Sequence, residues 1–547
     1  MSHQDNFIAS RLPDTKNRAQ LQFDLPKLRI GDHQNVVTTL FDRAQDNAWM
    51  ANPFLRCPGL VLTYADCKTR VDKLAMQLVN DLGLVSGNRV LLRGSNSIGM
   101  AIAWMAVVRA GLIAVATMPL LRAKELGEII SKGNITYALC DERLISDLQA
   151  INDIHIITFS AEGNYHLASA GEKNTELEGN VKTDAINTDT ADVELIQSNT
   201  IETDDIALMA FTSGTTGTPK AACHSHRDLL TACECWPAYV LLPQASDIVI
   251  GSPPLAFTFG LGGLLLFPMW AGASIHFPDK PYTPENMIDT INAEGITICY
   301  TAPTFYRMMA PFAKAKGVGQ LRICVSAGEA LADTTRQLWK QTTGINMLDG
   351  IGATEMFHIF ISSAGSEIRD GSIGKVVPGY TAKVVDENGN QLPSGQVGRL
   401  AVIGPTSCKY FDDERQSNYV KDGWNYPGDA FIQDDDGYFF YQSRADDMII
   451  TAGYNVGGPE VENCLLAHSA VAECGIIGKP DEDRGMIVKA FVVLKANHHG
   501  DAAMTKQLQD WVKQQLAPYK YPREIEYLAS MPRTETGKLQ RFKLRQL

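Results

Sequence analysis

No excess of positive charge marks this chain: 49 Lys and Arg stand against 62 Asp and Glu, a formal net charge of −13. Nucleic-acid partners usually require a basic face, so this balance argues against that class. Paired cysteine spacing is missing as well. The 11 cysteines are scattered and odd in number, with Cys233 and Cys235 two apart and no histidine cluster beside them. A zinc site is therefore not indicated, and free thiols in a reducing cytoplasm are the simplest expectation. The opening stretch MSHQDNFIASRLPD is polar and lacks the apolar core of a signal segment. Nor is there an unbroken apolar run of membrane length. The nearest, Ile98 to Leu121, is interrupted by Arg109, Gly111 and Pro119, and predicts a buried helix followed by a strand.

What the chain does have is length and one unusual loop. At 547 residues it is too long for one core and should split into at least two domains. Its 45% hydrophobic and 20% charged content are ordinary for a globular protein. Between Leu62 and Cys140, helix-like stretches (LTYADCKTRVDKLAMQL, AKELGEII) alternate with short apolar runs (LIAVAT, TYALC). Such alternation predicts parallel strands joined by crossover helices. Residues 160–205 are polar and acidic and read as a surface excursion without assigned function.

The loop lies within ALMAFTSGTTGTPKAACHSHRD, Ala207 to Asp228. Ile206 to Phe211 reads as a buried strand and Ala221 to His224 as a second. Between them, Thr212-Ser213-Gly214-Thr215-Thr216-Gly217-Thr218-Pro219-Lys220 offers hydroxyls, free backbone amides and one ammonium. That set suits a guest rich in negative acceptor oxygens, which means phosphate. The register is not the Walker pattern, because Ala221 follows Lys220 and a proline precedes it. A flexible Ser/Thr/Gly linker has a similar composition, but a linker rarely sits between two apolar strands.

TSGTTGTPK resembles the signature loop of the adenylate-forming superfamily, which includes acyl- and aryl-CoA synthetases, peptide-synthetase adenylation domains and luciferases. Further matches run over nearly the whole chain. The resemblance implies an α/β fold: a large N-terminal adenylate-forming domain built on parallel-rich sheets with helices (1–443), a hinge (444–447) and a small α+β C-terminal lid domain (448–547). DGIGATEMFHIF matches the motif in which Thr354 meets the α-phosphate and Glu355 holds Mg²⁺, preceded by Asp349, Gly350, Ile351 and Gly352. Gly328 and Glu329 resemble the adenine-side turn. In WNYPGD, Asp429 matches the carboxylate that takes both ribose hydroxyls, and Arg444 stands where ribose or phosphate is contacted. Asp446 falls at the pivot. Lys538, in PRTETGK, matches the mobile catalytic lysine, a point charge on a flexible stem. With Lys220 these residues imply ATP and Mg²⁺ as cofactors, coenzyme A as co-substrate and a small carboxylic acid as the other partner. No nucleic acid and no membrane span are expected, and self-association as a homodimer is left open.

The acid's pocket falls, by the same resemblance, on Phe257, Thr258, Phe259, Gly260, Tyr306, Gly328, Ile351 and His358. Amino-acid-activating relatives place an aspartate in the first of these segments, whereas this chain has none there. An uncharged, flat or greasy acyl group follows. IGATEMFHIF, LAFTFGLGG, TPKAACHSHRD and ITAGYNVGGPEVE look most like benzoate– and 2-aminobenzoate–CoA ligases. The expected reaction is AMP-forming thioester synthesis through an acyl-adenylate. The competing expectations are a medium-chain fatty acyl-CoA synthetase and, from another class, a non-catalytic nucleotide-binding protein of the same fold.

Overall fold

The computed structural model describes residues 3–167, 201–212, 219–444, 447–451, 454–481, 484–533 and 539–547. They divide into two compact units. Unit 1 comprises residues 1–281 with Thr354–His358 and Pro405–Ser417; unit 2 comprises Tyr282–Ala353, Ile359–Gly404 and Asn418–Leu547.

Among the described residues, the strands of unit 1 are β1 Pro53–Cys57, β2 Leu60–Thr63, β3 Arg89–Arg93, β4 Ile113–Thr117, β5 Tyr137–Asp141, β6 His155–Phe159, β7 Tyr165–Leu167, β8 Ile206–Thr212, β9 Lys220–Ser225, β10 Ile248–Gly251 and β11 Ser274–His276. One sheet has the order β7-β6-β5-β3-β4-β8-β9. Its five middle strands are parallel, and the edge strands β7 and β9 are antiparallel to their neighbours. β3 and β4 are buried at every position, as strands covered on both faces must be, and their inner residues Val90–Leu92 and Ile113–Ala116 are all apolar. The helix Ile98–Arg109 between them is buried from Ile98 to Val108. The apolar stretch that ends at Leu121 is thus a core helix followed by β4. No helix among the described residues is long and apolar enough to cross a membrane. A second run, β10-β11-β1-β2, is parallel except for its last pair.

Glycine and proline around aromatics from Gly251 to Gly263 predict a bent apolar wall rather than a regular element. The structure differs: Thr258–Leu261 is helical and continues through Gly262–Leu266 into Phe267–Ala271. Glycine permits it by allowing close approach. A Cβ on Gly260 would stand 2.0 Å from the Pro254 carbonyl oxygen, and one on Gly262 would stand 2.5 Å from the His358 ring.

In unit 2 the strands are β12 Ile298–Thr301, β13 Ile323–Ser326, β14 Leu348–Gly352, β15 Ile359–Ser362 and β16 Lys375–Val376, then β17 Thr381–Val385, β18 Gly398–Ile403, β19 Val420–Lys421, β20 Trp424–Asn425, β21 Asp429–Gln433 and β22 Phe439–Arg444, and finally β23 Ile449–Thr451, β24 Tyr454–Val456, β25 Val471–Asp481, β26 Gly485–Leu494 and β27 Glu524–Tyr527. β12, β13 and β14 are parallel neighbours, and β15 and β16 add antiparallel strands. β21 and β22 form the hairpin that DDDGYFFY predicts, turning at Gly437 with φ of +82°. The last sheet packs Val488 and Val492 of β26 against Val461 and Leu465 of the helix Gly458–Leu466 and Leu508 and Val512 of Ala502–Gln515. All eleven cysteines are free thiols.

The helix His226–Cys233 follows β9 directly, capped by Ser225 and Asp228. His226 is 1% exposed, and its Nδ1 accepts the Val36 amide at 3.2 Å. Burial lowers its pKa to about 3. The imidazole stays neutral in the fold but takes a proton in the unfolded chain below pH 6.5, so stability present above 6.5 is lost as pH falls. At pH 5 the loss from this one group is about 2 kcal/mol. His226→Asn keeps an acceptor for Val36 and removes the titration. The stability gap between wild type and variant should therefore narrow by about 2 kcal/mol between pH 7.5 and 5, read from urea midpoints.

Candidate active site

β8 ends at Thr212 and β9 begins at Lys220, and these two residues pair across the hairpin. Ser213, Gly214, Thr215, Thr216 and Gly217 lie outside the described residues. The mouth itself has two informative features. Thr212 Oγ1 is buried without a hydrogen-bond partner among the described residues. The Pro219 carbonyl is tied down by Lys132 Nζ at 2.9 Å. Lys132 is in turn 3.4 Å from Asp413, whose carboxylate Arg415 grips with both Nε and Nη2.

Lys220 opens β9 and projects toward Glu355. Its Nζ donates to Glu355 Oε1 at 2.8 Å and to the Tyr410 hydroxyl, which itself donates to the same Oε1. The three polar groups close a ring. Glu355 is 7% exposed. Burial works against its charged form, but the Lys220 ammonium and then the Tyr410 hydroxyl outweigh it and hold the pKa below the ordinary value. Burial and then the Glu355 charge push the Tyr410 phenol up, so it remains a donor.

The backbone that presents Glu355 is unusual. Thr354–Met356 is a single 3₁₀ turn, and Phe357 follows with φ of +71°, a left-handed conformation that costs an aromatic residue of order 1–3 kcal/mol. Fixed neighbours keep it in place. His224 Nε2 donates to the Thr354 carbonyl at 2.7 Å, and its ring stands edge-on to Phe357. Thr406 Oγ1 donates to the Met356 carbonyl at 2.9 Å. Burial lowers His224 to about 4, so it is a neutral donor.

One residue beyond, the surroundings become apolar. His358 is 4% exposed, with ring centroids of Phe267, Trp236 and Phe259 at 4.5, 5.3 and 5.6 Å. Its Nε2 reaches the Phe259 carbonyl at 3.4 Å, and burial lowers its pKa to about 3. Nδ1 is buried without a partner among the described residues. Thr258 and Gly260 are buried, while Phe257 and Phe259 are half-buried. Unit 1 therefore brings together Thr212, Lys220, Thr354 and Glu355 at a polar end and Phe259 and His358 at an apolar one.

The other expected residues belong to unit 2. Gly328 turns with φ of +90°, and Glu329 beside it accepts Thr304 Oγ1 at 2.7 Å and Arg533 at 3.2 Å. Asp349 is buried opposite Arg336 at 3.6 Å, and burial pushes it up to about 7. A Cβ on Gly350 would meet Ile359 at 2.7 Å, so glycine there serves strand packing. Ile351 is half-buried and Gly352 exposed. Tyr306 is fully buried, its hydroxyl donating to the Cys299 carbonyl at 2.7 Å. Arg444 Nη1 pairs with Asp429 at 3.1 Å. Asp446 and Lys538 lie outside the described residues.

Tyr410, His224, Thr406 and Lys132 escape sequence reasoning. Tyr410 sits in CKYFDDER with no motif around it, and its role depends on a chain reversal 190 residues from Lys220. The H-S-H spacing at the end of β9 is the one signal that sequence offers for His224. Among the described residues no three His, Cys, Asp or Glu side chains gather to hold a metal ion. A lone buried carboxylate such as Glu355 instead suits Mg²⁺ that arrives with phosphate oxygens and keeps several of its waters.

A family model described as AMP-binding enzyme matches residues 42–410, and the AMP-binding enzyme C-terminal domain matches 460–538. The chain is 33% identical over 493 residues to the benzoate–CoA ligase of Thauera aromatica, covering 88% of this chain and 90% of that one. It is 37% identical over 371 residues to the mitochondrial acyl-coenzyme A synthetase ACSM4 of Mus musculus, covering 64% of each. Among solved structures, the anthranilate CoA ligase AuaEII in complex with anthranoyl-AMP superposes with a TM-score of 0.83 at 31% identity, over 95% of this chain and 98% of that one.

Removing one member of a largely buried ion pair strands the other. Lys220→Met should destabilise the ligand-free protein by about 2 kcal/mol, given that the lysine side chain keeps 23% of its exposure. Combining it with Glu355→Gln should recover much of that loss. A double-mutant cycle on urea midpoints that returned strict additivity would mean the pair carries no coupling.

Proposed function

This chain belongs to the AMP-binding enzyme family, and on that premise we propose that it is an ATP-dependent carboxylate–CoA ligase acting on an aromatic acid of the benzoate or 2-aminobenzoate type. The observation that carries this reading is the compression of two chemistries onto one turn. Glu355, paired with Lys220, and His358, enclosed by aromatic rings, are three residues apart.

In the first half-reaction the carboxylate oxygen attacks the α-phosphorus of ATP, giving acyl-adenylate and pyrophosphate. Lys220 and the loop hydroxyls would hold the β- and γ-phosphates, and Thr354 the α-phosphate. Glu355 would hold Mg²⁺, which when bound offsets phosphate charge. Asp429, oriented by Arg444, would take the ribose hydroxyls. Lys538 would bridge carboxylate and α-phosphate. Positioning and fixed charge supply the acceleration, as in other phosphoryl chemistry. In the second half-reaction the thiol of coenzyme A attacks the acyl carbonyl, and AMP leaves. We assign the hinge to 444–447, around Asp446, and the lid to 448–547. Eleven free thiols fit a reducing compartment such as the cytoplasm.

The aromatic preference rests on the uncharged rings around His358 and on likeness to the benzoate– and anthranilate–CoA ligases. The likeness to ACSM4 supports the second reading, a medium-chain acyl substrate against the same apolar wall.

Pyrophosphate release with MgATP across benzoate, 2-aminobenzoate, hexanoate, octanoate and an amino acid, with and without CoA, separates these readings. Turnover on the aryl acids with a CoA thioester as product is expected; preference for octanoate would move the substrate, and silence on every acid would overturn the activity. Lys538→Ala should abolish adenylation yet spare thioester formation from supplied acyl-adenylate. Loss of both halves would remove Lys538 from the role assigned to it.

A further inference from the structure

The Lys220–Glu355 pair poses a problem for the reading just given, on which this inference rests. In the structure each charge neutralises the other at 2.8 Å. During adenylation Lys220 is to serve phosphate and Glu355 a cation, so each must do its work without the other's full attention. A carboxylate with a 10% exposed side chain is costly to leave under-bonded. It also needs one fixed orientation, because an octahedral cation tolerates little misplacement.

Tyr410 is built to supply both. Its hydroxyl stands between the two charges, donating to Glu355 Oε1 and accepting from Lys220 Nζ. The ammonium also lies 4.7 Å from the centre of the Tyr410 ring. The tyrosine is 1% exposed and is held by backbone on both sides. It bridges Ala222 of β9, two residues from Lys220 and therefore on the same face of the strand. The amides of Cys223 and Phe411 close further bonds between the two segments, at 2.8 Å to the Lys409 carbonyl and 2.9 Å to the Ala221 carbonyl. Behind it, the Tyr410 amide donates to Gln416 Oε1 at 2.9 Å, and Gln416 Nε2 donates to the Asn17 carbonyl at 2.9 Å. Lys409, the preceding residue, is locked to Asp228 at 2.5 Å. Simple space filling needs none of this order around a hydroxyl.

We propose that Tyr410 is a positioning residue for the cation site: its hydroxyl fixes the Glu355 carboxylate toward a phosphate-borne divalent cation and keeps a hydrogen bond on it when Lys220 turns to phosphate. Outer partners of metal-binding carboxylates are worth about 10- to 100-fold in metal affinity, and Tyr410 belongs to that class.

The test compares wild type, Tyr410→Phe and Glu355→Gln, the first variant differing from wild type by one oxygen. ATP binding is followed by calorimetry, without acid or CoA, at stepped Mg²⁺ concentrations. Thioester formation from supplied acyl-adenylate and CoA is measured alongside. Tyr410→Phe should raise the Mg²⁺ concentration for half-maximal enhancement of ATP binding about tenfold or more. Metal-free ATP binding and the thioester half-reaction should stay within about twofold of wild type. An unchanged Mg²⁺ requirement in Tyr410→Phe, with Glu355→Gln impaired, overturns the role of the tyrosine alone. An unchanged requirement in Glu355→Gln overturns the cation site itself, and the proposal with it. Equal loss in Mg²⁺-enhanced ATP binding and in the thioester half-reaction makes Tyr410 a packing residue and also overturns the proposal. If Tyr410→Phe does not fold, Tyr410→Gln and Tyr410→Leu replace it: Gln, which retains a donor, should keep the lower Mg²⁺ requirement, and equality of the two refutes the role.

Discussion

A carboxylate buried beside a lysine sets the terms for much of unit 1. Glu355 has lost most of its water, and in a medium of low dielectric an uncompensated charge there would cost several kcal/mol. Compensation has to come from groups fixed in place. It comes from the first residue of β9 and from a tyrosine on a segment that the chain reaches 55 residues after the glutamate. The loop mouth, the strand that follows it and the 405–417 segment are coupled through this one requirement. Asp228 and Lys409 repeat the pattern nearby with a second buried pair.

The turn from Thr354 to His358 is where polar and apolar chemistry meet. Its left-handed Phe357 is a strained element that its neighbours over-determine: His224 holds the Thr354 carbonyl and sets its ring edge-on to Phe357, and Thr406 holds the Met356 carbonyl. Under the proposed adenylation such rigid presentation would serve, since groups already in place need not reorganise as charge develops. The same rigidity ties the orientation of Glu355 to the packing of His358 against Trp236, Phe259 and Phe267.

Much of this was legible in the amino-acid sequence, for identifiable reasons. Short apolar runs announced the parallel strands β4 and β5, and two more such runs flanking the Thr/Ser/Gly loop announced β8 and β9. Family likeness carried the reading from local motifs to the enzyme class, and the match over residues 42–410 and 460–538 bears that out. Two kinds of feature were hidden. Helix in Thr258–Ala271 was masked by glycines that normally break helices, and only the close approach of Pro254 and His358 shows why they are there. Tyr410, His224, Thr406 and Lys132 act through contacts made by distant segments, and apart from the H-S-H spacing at His224 no local pattern marks them.

The free cysteines have a meaning beyond redox compartment. An acyl-adenylate is a mixed anhydride, and it acylates whichever thiolate meets it. Every one of the eleven thiols in this chain has its pKa pushed up by burial, including Cys408, which is fully enclosed and senses the charges of Glu355 and Lys220. Protonated sulfur is a poor nucleophile. In a chain whose family chemistry hands an activated acyl group to a thiol, burial thus disfavours the thiolate at each of the chain's own cysteines.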